Sequence, residues 1–342
     1  MTDLAGRSVS TAGDVNGDGF DDVIVGASNN DEGGNIAGAA YVLFGKASGF
    51  ADVNLGSLGS GGFKIVGEAV ADQAGISVSS AGDVNGDGFD DLIVGAGLND
   101  ESGSSAGAGY VIFGKAGGFA NIDLATLTAT DGFKIVGEAA DDRAGNPVSA
   151  AGDVDGDGFD DLIVGAYLND EGGFNAGAAY TVFGGNLTGA VTHLGWEADD
   201  ALAGTVAADV MIGGRGNDVL TGGGGADVLR GGAGDDTLKI ADTTFARLDG
   251  GGGSDTLRLD GSGIALDLTA IADNRLSGIE AIDITGNSPN SLTLGAAEIL
   301  GLSDNTNTLS VIGDGDDTLT VGGTGWSLAH LDDGGFRVFE TG

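Results

Sequence analysis

Apolar residues in this chain come in short runs separated by glycine-rich polar stretches, and the runs repeat. Asp22-Val23-Ile24-Val25-Gly26-Ala27 returns as Asp91-Leu92-Ile93-Val94-Gly95-Ala96 and as Asp161-Leu162-Ile163-Val164-Gly165-Ala166, at intervals of 69 and 70 residues. Runs this short, rich in β-branched residues and bounded by turn formers, predict buried strands. A second set keeps the same interval: Ala39-Ala40-Tyr41-Val42-Leu43-Phe44-Gly45, Ala108-Gly109-Tyr110-Val111-Ile112-Phe113-Gly114 and Ala178-Ala179-Tyr180-Thr181-Val182-Phe183-Gly184. A third, Phe63-Lys64-Ile65-Val66-Gly67-Glu68 and Phe133-Lys134-Ile135-Val136-Gly137-Glu138, precedes only the second and third copies and reads as their leading strand. Tyr41, Tyr110 and Tyr180 are expected in the core. Lys64 and Lys134 alternate with apolar neighbours and are expected to face solvent. The stretches 29–32, 99–101 and 169–171, all Asn, Asp and Glu, are expected to be solvated loops.

Beyond Gly184-Gly185 the period drops to nine. Residues 213–221, 222–230 and 231–239 all fit G-G-x-G-x-D-x-U-x, and two degraded copies precede them at 195–203 and 204–212. The sixth-position acid is kept throughout as Asp200, Asp209, Asp218, Asp227 and Asp236. Later matches are 250–258 with Asp255 and 312–320 with Asp317. Six residues make a glycine turn, and three make a strand whose central side chain (Leu220, Leu229, Leu238) points inward. Two units complete one coil, so residues 18 apart should stack: Asp200 over Asp218, Asp209 over Asp227, Asp218 over Asp236. Stacked carboxylates repel unless a cation lies between them, so calcium is expected to be a folding requirement and the metal-free repeat to be disordered. A flexible glycine linker would not hold Leu and Asp in phase over five units. The pattern resembles the calcium-binding β-helix repeat of RTX proteins.

The turn before each long-period strand carries oxygen ligands at positions 1, 3, 5 and 9: Asp14, Asn16, Asp18 and Asp22; Asp83, Asn85, Asp87 and Asp91; Asp153, Asp155, Asp157 and Asp161. Position 7 (Phe20, Phe89, Phe159) would offer its backbone carbonyl. Hard oxygens converging on a glycine turn suit Ca²⁺. An EF-hand would need a bidentate Glu at position 12, where Val25, Val94 and Val164 stand, so that reading fails. The loop, its V-G-A strand and the Y-x-x-F-G strand together resemble the FG-GAP repeat of integrin α-subunits. That resemblance, over about residues 1–190, implies one propeller blade per repeat, Ca²⁺ in the loop between two strands, and adhesion or ligand binding more often than catalysis. Three blades are too few for the usual four-to-eight-blade ring. The expectation is a partial propeller, belonging to a larger array, open, or paired between chains through its free edges.

Composition narrows the picture further. Two or three domains suit 342 residues. Gly at 70 residues with only 2 Pro and 41% apolar residues points to many turns between short strands rather than collagen. A net charge of −39 with 13 scattered basic residues argues against nucleic acid and suits a chain neutralised by bound calcium. No stretch approaches 18 apolar residues, so no transmembrane segment is expected, and the N-terminus lacks signal-peptide character. No cysteine is present, which removes disulfides and thiol chemistry. His193 and His330 lie outside the repeats, and no G-x-S-x-G, H-E-x-x-H or P-loop motif occurs.

The expected fold is all-β: partial FG-GAP propeller blades (1–190), an RTX parallel β-roll (191–260) and a C-terminal β-rich cap (261–342). The last region resembles the uncleaved export region of type I-secreted RTX proteins. The expected function is a secreted or cell-surface, non-catalytic, calcium-dependent module for an unidentified cell-surface protein or glycan. The alternative is the non-catalytic C-terminal part of a type I-secreted hydrolase or toxin.

Overall fold

The computed structural model describes residues 3–49, 52–286, 289–302, 308–322, 326–331 and 336–341. The chain divides into two compact units. Met1–Asn85, Phe89–Val154 and Phe159–Thr188 form the first; Gly86–Gly88, Asp155–Gly158 and Gly189–Gly342 form the second.

In the first unit each long-period copy becomes an antiparallel blade. Blade 1 is β1 (Ala5–Gly13), β2 (Asp22–Ala27), β3 (Ala39–Leu43) and β4 (Gly62–Val66). Blade 2 is β5 (Ser77–Gly82), β6 (Asp91–Ala96) and β7 (Ala108–Ile112), completed beyond the short β8 (Ile122–Asp123) by β9 (Gly132–Val136). Blade 3 has β10 (Ala144–Gly152), β11 (Asp161–Ala166) and β12 (Ala178–Val182). Hence the F-K-I-V segment does not lead the following copy. It closes the preceding one, with Tyr41 opposite Lys64 and Tyr110 opposite Lys134. Alternation alone names a strand's faces and not its partner, which is why the sequence reading assigned the segment to the wrong copy.

Blades stack through apolar faces. Ile24, Val42 and Phe63 of blade 1 share a buried cluster with Val78, Leu92 and Ile112 of blade 2. Ile93, Val111 and Phe113 of blade 2 share another with Val148, Leu162 and Val164 of blade 3. The backbones approach closely enough that a Cβ on Gly75 would lie 2.2 Å from the Ala39 carbonyl oxygen, and one on Gly145 2.0 Å from that of Ala108. Only glycine fits there.

Tyr41 and Tyr110 are buried. Lys64 and Lys134 depart from expectation: each ammonium lies over the facing tyrosine ring, 5.1 and 5.4 Å from its centroid. Lys64 pairs with Glu32, and Lys134 with Glu68 and Glu101. The long stem covers the ring while the head finds carboxylates. The polar loops are not fully solvated either. Asn30, Asn99 and Asn169 are buried, and Asn99 and Asn169 donate to Asp72 and Asp142 at 2.9 and 2.8 Å.

The second unit is a stack of parallel rungs. One sheet runs through His193–Leu194, Val210–Arg215, Val228–Ala233, Arg247–Gly252 and Leu276–Ser277. A second runs through Ala201–Ala203, Val219–Thr221, Thr237–Ile240, Thr256–Leu259, Ala281–Asp283 and Thr308–Ile312. The register is 18 residues at first, Leu202 to Leu220 to Leu238, and then 19 to Leu257. Leu220, Leu229, Leu238, Leu248 and Leu257 fill one buried core. The parallel ladder continues past residue 260, joined by a third sheet of Ala265–Asp267, Ser291–Leu294 and Thr318–Val321 and by the helix Ala296–Leu302. Phe336–Thr341 pairs antiparallel with Thr308–Ile312 and Trp326–Leu331.

Candidate metal centres

In all three blade loops the glycines at positions 4 and 6 take left-handed backbone, φ +70 to +78° and +86 to +91°. This is the conformation glycine adopts without steric cost, and it curls the loop so that its side chains turn inward. The position-9 carboxylate then ties the loop shut. Asp22 accepts hydrogen bonds from the Val15 and Gly45 N–H groups (3.1 and 2.8 Å), Asp91 from Val84 and Gly114 (3.0 and 2.8 Å), and Asp161 from Val154 and Gly184 (2.9 Å each). A carboxylate oxygen has two lone-pair sites, so one that accepts a single N–H can also face a cation. Burial pushes Asp22 up to about 7, against opposing hydrogen bonds from Gly45 and Val15. It also raises Asp14.

The loops differ in how far their ligands converge. Among the described residues, only the third brings three carboxylates together, with ligand oxygens of Asp153, Asp155 and Asp161 within 4.8 Å of one another. Loops 1 and 2 carry Asn16 and Asn85 at position 3, so a carboxylate is missing there. In loop 1 the side chains close on their own turn: Asp14 accepts from the Asp18 and Gly19 N–H groups at 3.0 and 2.8 Å, and Asn16 accepts from Asp18 N–H at 2.8 Å. Loop 2 is the most enclosed, with Asp83, Asn85 and Asp91 buried and Asp87 half-buried. Of the position-7 residues, Phe20 is exposed and Phe159 buried.

The acid at position 8 escaped the sequence reading and serves another purpose. Asp90 accepts the Asp14 N–H and Asp160 the Asp83 N–H, both at 2.8 Å, so loops 1 and 2 are each pinned by the blade that follows. Its recurrence beside position 9, as Asp21, Asp90 and Asp160, was the available signal.

In the roll the expected stack is present as a hydrogen-bonded row. The N–H groups of Asp200, Asp218 and Asp236 each donate at 2.7 Å to Oδ1 of the next acid in the row, Asp218, Asp236 and Asp255. Asp255 N–H then donates to Glu280 at 2.8 Å. On the other side of the coil Asp209 N–H donates to Asp227 at 2.9 Å. The second oxygens of Asp218, Asp236 and Asp255 are buried and have no hydrogen-bond partner. An anionic oxygen left so is costly unless protonated or met by a cation. Burial accordingly raises Asp218 and Asp227, lifts Asp236 to about 6 and lifts Asp255 to about 7, the last two also pressed by neighbouring acids. Asp200 and Asp209 at the first coils differ, since their outer oxygens accept the Trp196 and Thr205 N–H groups at 2.8 and 2.6 Å. Buried, hard, anionic oxygens repeating along a coil fit Ca²⁺ rather than a soft metal. His193 stands beside this second side, its Nδ1 2.9 Å from Thr192 Oγ1 and 3.9 Å from Asp209. The side chain of His330 lies outside the described residues.

Comparison with known proteins agrees with this division of chemistry. The FG-GAP repeat model matches residues 5–43, 74–112 and 146–182, and the RTX calcium-binding nonapeptide repeat (4 copies) matches 203–238. The chain is 31% identical to integrin alpha-V of Gallus gallus over 187 residues, 54% of this chain and 16% of that protein. It is 33% identical to integrin alpha-PS5 of Drosophila melanogaster over 158 residues, 45% of this chain and 14% of that protein. It is 29% identical to phosphatidylinositol-glycan-specific phospholipase D of Bos taurus over 179 residues, 52% of this chain and 20% of that protein. The chain thus spans a small part of each relative. Both repeat types bind Ca²⁺, in several copies. Among the described residues no helix is long and apolar enough to cross a membrane.

Proposed function

We propose that this chain, in which three integrin α-like FG-GAP repeats precede RTX calcium-binding nonapeptides, is a secreted or cell-surface adhesion module whose compact form depends on extracellular calcium. The observation that carries the reading is the row of buried, unpartnered oxygens on Asp218, Asp236 and Asp255. Without a cation these oxygens burden the fold; with one they hold successive coils together. Low calcium inside a cell would leave the roll open, and millimolar calcium outside would close it, at the affinity of extracellular calcium modules, on the order of 10⁻⁴–10⁻³ M.

The proposed ligands are Asp14, Asn16, Asp18 and Asp22, with their counterparts in loops 2 and 3, and in the roll Asp200, Asp209, Asp218, Asp227, Asp236 and Asp255. The proposed division is blades over 1–190, roll over 191–260 and a C-terminal β-rich region over 261–342. The blades would present their loops to a protein or glycan on a cell surface, without catalysis. Likeness to a phospholipase D favours a second reading, in which the chain is the non-catalytic part of a secreted hydrolase. Binding of labelled full-length chain to cells or a glycan array, with calcium and with chelator, tests the first. Chelator-sensitive binding supports it, and equal signal under both conditions contradicts it.

A further inference from the structure

The three blades share one plan until their last strand. After β3 and β7 the chain turns back and lays β4 (Gly62–Val66) and β9 (Gly132–Val136) antiparallel along them. After β12 (Ala178–Val182) it goes on instead to His193–Leu194, a rung of the parallel ladder. Among the described residues the sheet of blade 3 therefore ends at β12, in the order β10-β11-β12. Burial records the difference: every residue of β7 and all but the last of β3 are buried, and none of β12 is. An edge of bare N–H and C=O groups is a template for a further strand.

The side chains around this edge are the ones that receive the fourth strand in the other two blades. That strand reads Gly-Phe-Lys-Ile-Val in both. Its Phe lies 5.9 Å from Phe44 in blade 1 and 6.0 Å from Phe113 in blade 2, ring centre to ring centre. Its Lys lies over the tyrosine opposite and reaches Glu32 in blade 1, and Glu68 and Glu101 in blade 2. Blade 3 keeps the receiving half. Phe183 takes the place of Phe44 and Phe113 and is 56% exposed. Tyr180 takes the place of Tyr110, and the exposed Glu138 and Glu171 those of Glu68 and Glu101. Tyr180 donates to Glu138 at 2.7 Å, as Tyr110 does to Glu68. Among the described residues no ion pair reaches Glu138 or Glu171.

We propose that the edge of blade 3 binds an extended segment of a partner protein, added antiparallel as the fourth strand. The segment carries an aromatic residue, then a lysine, then two aliphatic residues. Its backbone completes the ladder along β12, its ammonium lies over Tyr180 between Glu138 and Glu171, and its aromatic ring meets Phe183. Main-chain bonds supply affinity here, and the three side-chain positions choose the sequence. Both segments of this kind in residues 1–342 are already paired, within blades 1 and 2, so the occupant comes from a different polypeptide. The inference rests on the blades alone and not on the adhesion reading.

The probe is a labelled synthetic peptide with the sequence of residues 131–138, titrated with full chain in calcium and followed by fluorescence anisotropy. Its one Lys stands against Asp131 and Glu138, so the acidity of the chain does not by itself attract it. Saturable binding is expected. Lys134→Glu within the peptide should weaken it by about tenfold or more, as should Phe183→Asp or Glu138→Lys/Glu171→Lys within the chain, with circular dichroism unchanged. The Glu138→Lys/Glu171→Lys chain should in turn bind the Lys134→Glu peptide more tightly than the parent does. No saturable binding to the parent, binding that survives both chain variants, or no such exchange of preference overturns the proposal. A parent that pairs with itself in sedimentation and is parted by the peptide would give the edge to a strand exchanged between copies, and overturns it too. Chelator-sensitive attachment to cells without peptide binding overturns this inference and leaves the adhesion reading standing.

Discussion

A carboxylate sealed from water must keep a proton or find a cation, and that choice makes the candidate metal sites sensitive to pH. Asp22 and Asp255 lie at about 7 and Asp236 at about 6, each raised mainly by burial from 3.8. Between about pH 4 and 7 the metal-free fold therefore binds protons that the unfolded chain has released. By linkage its stability falls as pH rises through that window. In chelator, where the roll is expected to be open, the thermal midpoint of the blades, which carry Asp22, should drop by several degrees between about pH 5 and 7.5, as scanning calorimetry would record. Calcium competes with the same protons, so its apparent affinity should weaken on acidification below about pH 7. A midpoint in chelator that rises with pH over this range would refute the assignment. The candidate ligands were picked out by the 9- and 70-residue periods, because a repeated Asp/Gly phase has few other causes. Lys64 and Lys134 were not: alternation places them on one side of a strand, but the tyrosine that covers that side sits on another strand.

Among elements, the blades show what local patterning can and cannot specify. The strands stood out as apolar runs, yet the pairing of the F-K-I-V strand with the preceding Y-V-L strand depends on a connection of about 20 residues that carries no signal of direction. The roll behaves in the opposite way. Its ladder continues past Leu259 although the nonapeptide decays, because the extra residues in spacings of 19 and then 25, from Asp236 to Asp255 to Glu280, are absorbed in turns while the rungs stay in register. The pin between blades gives a sharp prediction. Asp90→Ala removes the acceptor of the Asp14 N–H and should cost about 1–2 kcal/mol in urea unfolding, with the slope unchanged. It should also weaken calcium at loop 1, since the pinned residue is itself a candidate ligand. A stability equal to the parent would show that the pin is dispensable.

Over the whole molecule, 52 acidic against 13 basic residues leave a charge of −39, and a compact chain of that charge repels itself. Simple salt should therefore stabilise the metal-free form by screening, with the thermal midpoint in chelator rising as sodium chloride goes from about 0.05 to 0.5 M. With calcium bound the same salt series should have a much smaller effect. The most direct test of the account is circular dichroism of the full chain during calcium titration, with Asp218→Ala/Asp227→Ala beside the parent. The account predicts a gain of β signal as calcium is added, shifted to higher calcium and reduced in amplitude in the double variant. A parent spectrum that is already fully β in chelator and unchanged by calcium would contradict it.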